Sequence, residues 1–413
     1  RYVLGEHREA DFAAADVVVV NPAVRPDHPC LAVARAHGAS IVTEVGTVLR
    51  LAHGMTVGVT GSNGKSTTTA LLGHMLRAVE PRTLVGGNLG GSLLPQMKTH
   101  WPSAPLVLEL SSFQLHYLGE QALAPRVAVI TQLAPNHLDW HGSLAAYYDA
   151  KRNILRRQSW RDLAILNAAD PVLRDWAAAC CSRVGRFALD DPGGPNAAFV
   201  RDGQAIARLA GEEQAGFALA DLPLPGRHNV ENALAALLAA RAVLGDVAAA
   251  GRAAPGFRGL PHRLEPVGAI GGVRFVNDSV ATTPESAVAA LSSTAGPTVL
   301  IAGGYDKGLP FDALAAVVAE QATAAVLLGD AADRIAAALD AAGFADRTHR
   351  AGTLAEAVDA ARRLCPAGGT VLLSPACASY GAFTDFEARG EAFRRLVQER
   401  GAAGKESGGG AEA

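Results

Sequence analysis

The chain has 413 residues, 49% of them hydrophobic and 19% charged, and a formal net charge of −3. That length is too great for a single compact core, so two or three domains are expected, and the composition is that of an ordinary globular protein. The charge balance excludes an overall positive field for nucleic acid or an anionic membrane, and the lack of any apolar run of roughly 18 residues argues against a membrane-spanning helix.

The five cysteines lack metal-type spacing. Cys180 and Cys181 are adjacent and Cys377 falls within a later motif, a usage that fits free thiols in a reducing cytoplasm. The chain opens on Arg1 with no visible signal peptide, so the natural start is expected to be missing.

In chain order, "ADVVVVNPAV" (15–24) reads as a strand, "HPCLAVARAHG" as a helix and "ASIVTEVG" as a second strand. This β–α–β unit has too few elements to stand alone. From Met55 the pattern alternates strands ("TVGVT", "APLVLEL", "RVAVITQL", "LAILN") with longer helices, the signature of a parallel sheet covered on both faces. "PLPGRHNVENALAALLAARAVLG" (223–245) reads as a turn, an N-cap at Asn229 and a long helix ending at Gly245. "GLPHRLE" (259–265) is a plausible hinge. Beyond it, "GVRFVND", "PTVLIAGG", "AAVLLGD" and "TVLLSPA" are strands between Ala-rich helices, a second doubly wound domain. The Gly/Ala/Glu-rich tail 401–413 has little to bury and is expected to be disordered. The expected division is therefore 1–54, 55–258, 259–400 and the tail.

"TVGVTGSNGKSTTT" lies where a strand ends and a helix begins. Gly61 and Gly64 let backbone N–H groups of the loop Gly61, Ser62, Asn63, Gly64 turn inward around phosphate oxygens. Lys65 can reach the β/γ-phosphates, and the hydroxyl of Ser66 or Thr67 can ligate Mg²⁺. The strict phosphate-loop pattern requires a glycine where Val59 stands. Glu109 in "LVLELSSFQL" ends a strand, where parallel sheets place their ligands, although a solvated strand-end glutamate would look the same.

"TQLAPNHLDWHGSLAAYYDAKRNIL" gathers His137, Asp139, His141 and Lys151 after another strand. His137 suits a metal or phosphate, or a cap, whereas Lys151 lies on an amphipathic helix and reads unaided as a surface lysine. Asn232, one turn after Asn229, could reach a nucleotide, and Arg263 suits a phosphate. "VNDSVATTPES", "LIAGGYDKGLPF" and "LLSPACASYGAFTDFEARG" each follow a strand with glycine, hydroxyl and charged residues, and three such loops favour a substrate site.

Together with "GGNLG" (86–90), these stretches resemble the Mur ligases, the ATP-dependent amide-forming enzymes of peptidoglycan precursor synthesis, and are closest to the glutamate-adding members. The resemblance runs from about residue 15 to 396. It implies an α/β fold of three domains: a Rossmann-like uridine-nucleotide domain, here partial, a P-loop ATPase core with a mostly parallel sheet, and a Rossmann-like C-terminal domain that closes onto the core. It further implies a monomeric cytoplasmic enzyme that activates UDP-MurNAc-L-Ala as an acyl phosphate with ATP and two Mg²⁺ ions, then joins it to glutamate.

By the same resemblance, Lys65 holds the β/γ-phosphates. Ser66 and Glu109 serve the first Mg²⁺ and His137 the second, while Lys151 is carbamylated into a metal bridge. Asn88 touches the muramoyl substrate or the transferred phosphate. Asn232, Arg263 and Asp278 contact ATP, and Thr282, Lys307, Ser379, Tyr380 and Phe386 receive glutamate.

Two departures stand out. The family's loop D-S-K-A-T-N reads "DSVATT" here, with Val280 for lysine and Thr283 for asparagine. Loss of a charged hydrogen bond costs about 1–3 kcal/mol, which leaves D-glutamate only slightly favoured over L-glutamate. Only about 55 residues precede the phosphate loop, so the family's first strand and Gly-rich turn are missing and weak UDP-sugar binding is expected, measurable by calorimetry. The rival readings are a folylpolyglutamate synthase-like ligase, a P-loop switch whose ATPase ignores muramoyl peptides, and a stable but inactive fragment.

Overall fold

The computed structural model describes residues 2–89, 92–100, 103–224 and 226–406. They form two compact units, divided between Gly259 and Leu260.

The first unit is built on a nine-stranded sheet. Its parallel part runs in spatial order Arg183–Phe187, Leu163–Asn167, Val127–Ile130, Thr56–Thr60, Leu106–Glu109, Leu84–Gly87. Thr56–Thr60 is central, with Val57 level with both Val107 and Val127. Every residue of Thr56–Thr60, Leu106–Glu109, Val127–Ile130 and Leu163–Asn167 is buried, as a sheet covered on both faces requires. One face packs Leu71, Leu72, Met75 and Leu76 of the helix Lys65–Arg77 against the Ala233–Ala240 stretch of the helix Arg227–Leu244. Those alanines let the two helices lie close to the sheet. The other face packs Leu106, Leu108 and Leu110 against Leu115, Leu118 and Ile154 of the helices Ser112–Glu120 and Leu144–Arg156.

Beyond Phe187 the sheet continues through Ala197–Arg201, Gln204–Leu209 and Glu212–Ala218, the last two pairings antiparallel. The sequence pattern announces no strands there. Asp202 and Gly203, and Ala210 and Gly211, all at positive φ, make the two tight turns. Residues 17–42 form a two-stranded parallel sheet, Val17–Val19 with Ser40–Val42, bridged by the helix Pro29–Ala36. It is tied down by Tyr117, whose hydroxyl donates to Val24 O at 2.8 Å, and by Trp140, whose indole donates to Ala23 O at 3.1 Å. "TEVG" does not continue the second strand: Thr43 caps a helix, Glu44–Leu51, its hydroxyl accepting from Gly46 N at 3.0 Å.

Asn229 is not an N-cap. The helix begins one residue after Gly226, whose φ of 94° makes the sharp entry and where a Cβ would meet the His228 ring at 2.8 Å. Asn229 lies inside the first turn and accepts from Asn232 Nδ2 at 3.4 Å.

The second unit holds a six-stranded sheet in the order Glu265–Ile270, Val273–Asn277, Thr370–Leu373, Thr298–Gly303, Ala324–Leu328, Thr348–Arg350. Only the first pairing is antiparallel, closed by Gly271 and Gly272 at φ 60° and 80°, a turn whose twist matches that of the strands. Helices cover both faces, around Leu300, Leu314 and Leu327 on one and Phe275, Val326 and Phe393 on the other. The final helix runs Phe386–Glu406, so 401–406 continue it rather than begin a disordered tail; 407–413 lie outside the described residues. Among the described residues no helix is long and apolar enough to cross a membrane.

Candidate active site

The phosphate loop leaves the central strand at Thr60. Gly61 has φ 149° and Gly64 φ 80°, and neither position has room for a side chain. A Cβ on Gly61 would stand 1.9 Å from Thr131 Oγ1, and one on Gly64 would stand 2.3 Å from Asn232 Oδ1. Val59, where the strict motif has glycine, is a fully buried strand residue, so the turn here starts two residues later. The loop's conformation is held from outside. Thr131 Oγ1 donates to Asn63 O, Ser62 N donates to Gln132 O at 2.8 Å, and Ser62 Oγ joins Ala134 O at 2.7 Å and the Tyr147 hydroxyl at 3.0 Å. Lys65 folds back to Ser62 O at 3.0 Å, and Ser66 begins the helix with its side chain buried. Thr67, next along the helix, is partly buried. The loop therefore presents its N–H groups at a helix N-terminus, an arrangement suited to phosphate.

Lys151 overturns its surface reading. It is 1% exposed, its Nζ donating to Gly61 O at 2.7 Å and Thr60 Oγ1 at 3.4 Å and lying 4.9 Å from the Tyr147 ring centre. Loss of water on burial, reinforced by the positive charge of Lys65, drives its pKa well below the ordinary lysine value, while Glu109 pulls the other way. Its helix is amphipathic, with Asp149 and Arg156 exposed, but Lys151 lies on the buried side with Tyr147 and Ile154.

Glu109 is 2% exposed at the end of its strand. Its Oε1 accepts from Asn88 Nδ2 at 2.8 Å, and Asn88 N donates to Glu109 O at 2.8 Å. Oε2 is buried without a hydrogen-bond partner. An orphaned carboxylate oxygen is costly, and a cation is its natural complement. His137 is exposed, in the left-handed region at φ 51°, its ring 4.9 Å from that of Phe113 and 6.2 Å from that of Tyr147. His141 Nε2 meets Ser112 Oγ at 2.9 Å, the second serine of "ELSSFQL". The side chain of Asp139 lies outside the described residues. No group of three His, Cys, Asp or Glu side chains forms a metal cage among the described residues. Glu109 Oε2, Ser66 and His137 are the side chains here that could hold a metal together with phosphate oxygens. Apart from the His137 imidazole these are hard oxygen donors, which suit Mg²⁺.

In the second unit, Asp278 accepts from Ser374 Oγ at 2.8 Å and Leu264 N at 3.1 Å. Burial raises its carboxyl to about pKa 6, against the pull of those hydrogen bonds and of the Arg263 charge. Arg263 is exposed beside it, between His262 and Leu264, both at positive φ. The three strand-end loops come together: Tyr305 N donates to Ala378 O at 2.9 Å, the rings of Tyr305 and Tyr380 are 6.1 Å apart, and Ser279 Oγ donates to Phe386 O at 2.8 Å. Lys307 and Tyr380 are exposed, Ser379 is buried, and Thr282 is half-buried with its N donating to Val280 O at 2.9 Å.

Thr131, Tyr147 and Arg389 carry no signal in the sequence that marks them for the site. The first two brace the phosphate loop and Lys151, and only "YY" ahead of the lysine hints at a packed aromatic. Arg389 resembles any helix-surface arginine in sequence.

Residues 59–240 match the Mur ligase middle domain, and residues 262–377 match the Mur ligase glutamate ligase domain. A protein of Symbiobacterium thermophilum named UDP-N-acetylmuramoylalanine–D-glutamate ligase is 45% identical over 96% of this chain and 87% of its own. The chain belongs to the Mur ligase family. A protein of the same name from a Roseiflexus species is 44% identical, with 96% and 87% covered. The fold likewise matches MurF ligase from Thermotoga maritima in complex with ADP, with a TM-score of 0.57 at 17% identity, covering 95% of this chain and 99% of that one. As a Mur ligase, the protein is an ATP-dependent amide-forming enzyme.

Proposed function

We propose that this Mur ligase joins D-glutamate to UDP-N-acetylmuramoyl-L-alanine at the expense of ATP, a step in peptidoglycan precursor synthesis. The observation that carries the reading is Lys151, buried to 1% exposure against Gly61 of the phosphate loop. Burial strips this amine of water and holds it against the loop that grips the phosphates.

A carboxylate does not condense with an amine in water, because oxide is too poor a leaving group; phosphorylation supplies a better one. The N–H groups of the Asn63–Ser66 turn and Lys65 hold and orient the phosphates, and Asn232 sits against Gly64 to fix the turn. Ser66, Glu109 Oε2 and His137 would hold Mg²⁺, which when bound neutralises charge on the phosphate oxygens. Asn88 orients Glu109 and lies where a muramoyl or phosphoryl oxygen would pass. Depression of its pKa keeps Lys151 neutral at lower pH than an ordinary lysine. A neutral Nζ can add to carbon dioxide, forming an N–C bond and losing one N–H proton, and the resulting carbamate is a further metal ligand. In the second unit, Arg263 and Asp278 would meet ATP, while Lys307, Thr282, Ser379, Tyr380 and Phe386 would receive the amino acid, Lys307 on a carboxylate.

D-glutamate is favoured because relatives at 44–45% identity carry it in their names. One loop departure has a local explanation that does not require the other isomer: Thr283 caps the helix Pro284–Ser292, its Oγ1 accepting from Ser286 N at 3.4 Å. The bond from Val280 N to His262 O at 3.1 Å is made by the backbone and does not depend on the side chain. The test is phosphate release with UDP-MurNAc-L-Ala, ATP and Mg²⁺, comparing D- and L-glutamate. Release only with D-glutamate is expected. Release only with L-glutamate would make Val280 a stereochemical determinant, and release indifferent to both would favour the switch ATPase.

A further inference from the structure

Arg389, in the first turn of the helix Phe386–Glu406, is 3% exposed. Its Nε donates to Ser279 Oγ at 3.0 Å, its Nη2 to Ser279 O at 2.9 Å and its Nη1 to Cys377 O at 3.1 Å. A Cβ on Gly304 would stand 3.2 Å from Nη1. One guanidinium therefore bonds to the loops that follow Val273–Asn277 and Thr370–Leu373 and lies beside the one that follows Thr298–Gly303, three neighbouring parallel strands.

No carboxylate pairs with it among the described residues. The charged groups acting on Cys377, its neighbour, are Asp306, Lys307 and Arg334, and Asp306 is already bound by Arg334 at 2.6 Å. Burial lowers the guanidinium's pKa to about 10, the mark of a cation stripped of water and given only neutral partners. Such a group is expensive to bury, and a purely structural tie could be made by uncharged side chains. Its planar fork holds three oxygen acceptors at fixed angles, which lysine's single ammonium cannot reproduce.

We propose that Arg389 is a positioning residue for the amino-acid substrate: it locks the three strand-end loops into one arrangement and sets an uncompensated positive charge beneath the place where a dicarboxylate binds. The proposal rests on the reading that these loops receive glutamate.

The protein is assayed as wild type, Arg389→Lys, Arg389→Met and Ser279→Ala, with KM measured separately for glutamate, ATP and UDP-MurNAc-L-Ala and with melting midpoints recorded. Arg389→Lys should raise the glutamate KM about tenfold and Arg389→Met about a hundredfold, with ATP KM changed less than about twofold. Ser279→Ala, which removes one acceptor, should raise the glutamate KM by about threefold. Equal rises in all three KM values would reduce Arg389 to general scaffolding and overturn the proposal, as would an unchanged glutamate KM. If Arg389→Met does not fold, the lysine and alanine variants decide by the same criterion. Wild-type phosphate release that ignores glutamate would instead overturn the reading of the loops, and the proposal with it.

Discussion

Lys151→Met separates what the buried lysine does for the fold from what it does for the reaction. Methionine fills nearly the same volume, so no cavity opens around a residue that is 1% exposed. The substitution removes the hydrogen bond from Nζ to Gly61 O at 2.7 Å, worth about 0.5–1.5 kcal/mol for a neutral donor and up to about 3 for a charged one. Against that stands the removal of an amine that burial has stripped of water, a penalty of up to several kcal/mol when it is charged. The two effects are of similar size, so the stability change should fall within about 2 kcal/mol of zero. At about 2–4 °C per kcal/mol for domains of this size, the melting midpoint should move by less than about 8 °C. Phosphate release, by contrast, should fall at least ~10³-fold, because no amine remains to take up carbon dioxide or to balance charge at the phosphates. Calorimetry and a coupled phosphate assay on the same preparation read both quantities. A variant keeping more than about a tenth of wild-type activity would remove Lys151 from the reaction. One destabilised by more than about 4 kcal/mol would make it a structural post.

Two further outcomes are expected. Asp278 binds its proton more tightly folded than unfolded, its pKa raised from 3.8 to about 6, so stability should decline as pH rises through that window and level off above it, by about 3 kcal/mol in all. Subtracting the melting curves of Asp278→Asn from wild type should isolate that slope, and a difference that is flat with pH would refute it. Gly61→Ala forces a Cβ to 1.9 Å from Thr131 Oγ1 and 3.1 Å from the Asn63 and Gln132 carbonyls at φ 149°, which should cost about 2–4 kcal/mol and weaken ATP binding at least tenfold. Gly142→Ala, at φ 77° with nothing within 4 Å, should cost only about 1–2 kcal/mol. Equal losses at the two sites would show that crowding at Gly61 is not what matters.

The phosphate loop was legible in the sequence because its chemistry is local: a strand of Val and Thr, two glycines at fixed spacing, a lysine and a hydroxyl opening a helix. The alternation of buried strands with helices was legible for the same reason, since burial on both faces imposes a continuous apolar run that short-range pattern records. The strands from Arg183 to Ala218 were not, because polar and small residues at a sheet's edge leave a weak alternation and their pairing is decided by turns such as Asp202–Gly203. Asn229 has the chemistry of a cap, yet Gly226 takes the position, where a φ of 94° favours glycine and a Cβ would crowd the His228 ring.

The site itself divides in the same way. Lys65 and Ser66 announce themselves by opening a helix just past a strand, whereas Glu109 at another strand's end reads equally well as a solvated glutamate. Lys151, Tyr147 and Arg389 on helices, and Thr131 just past the end of a strand, have sequence neighbours that say nothing of what they face. Lys151 reaches Gly61 across 90 positions, and Arg389 reaches Ser279 across 110. Residue type and short-range spacing could therefore specify the phosphate grip. The burial of one lysine against that grip, and of one arginine beneath three loops, depended on how the chain packs, because desolvation and hydrogen-bond geometry exist only once distant segments meet.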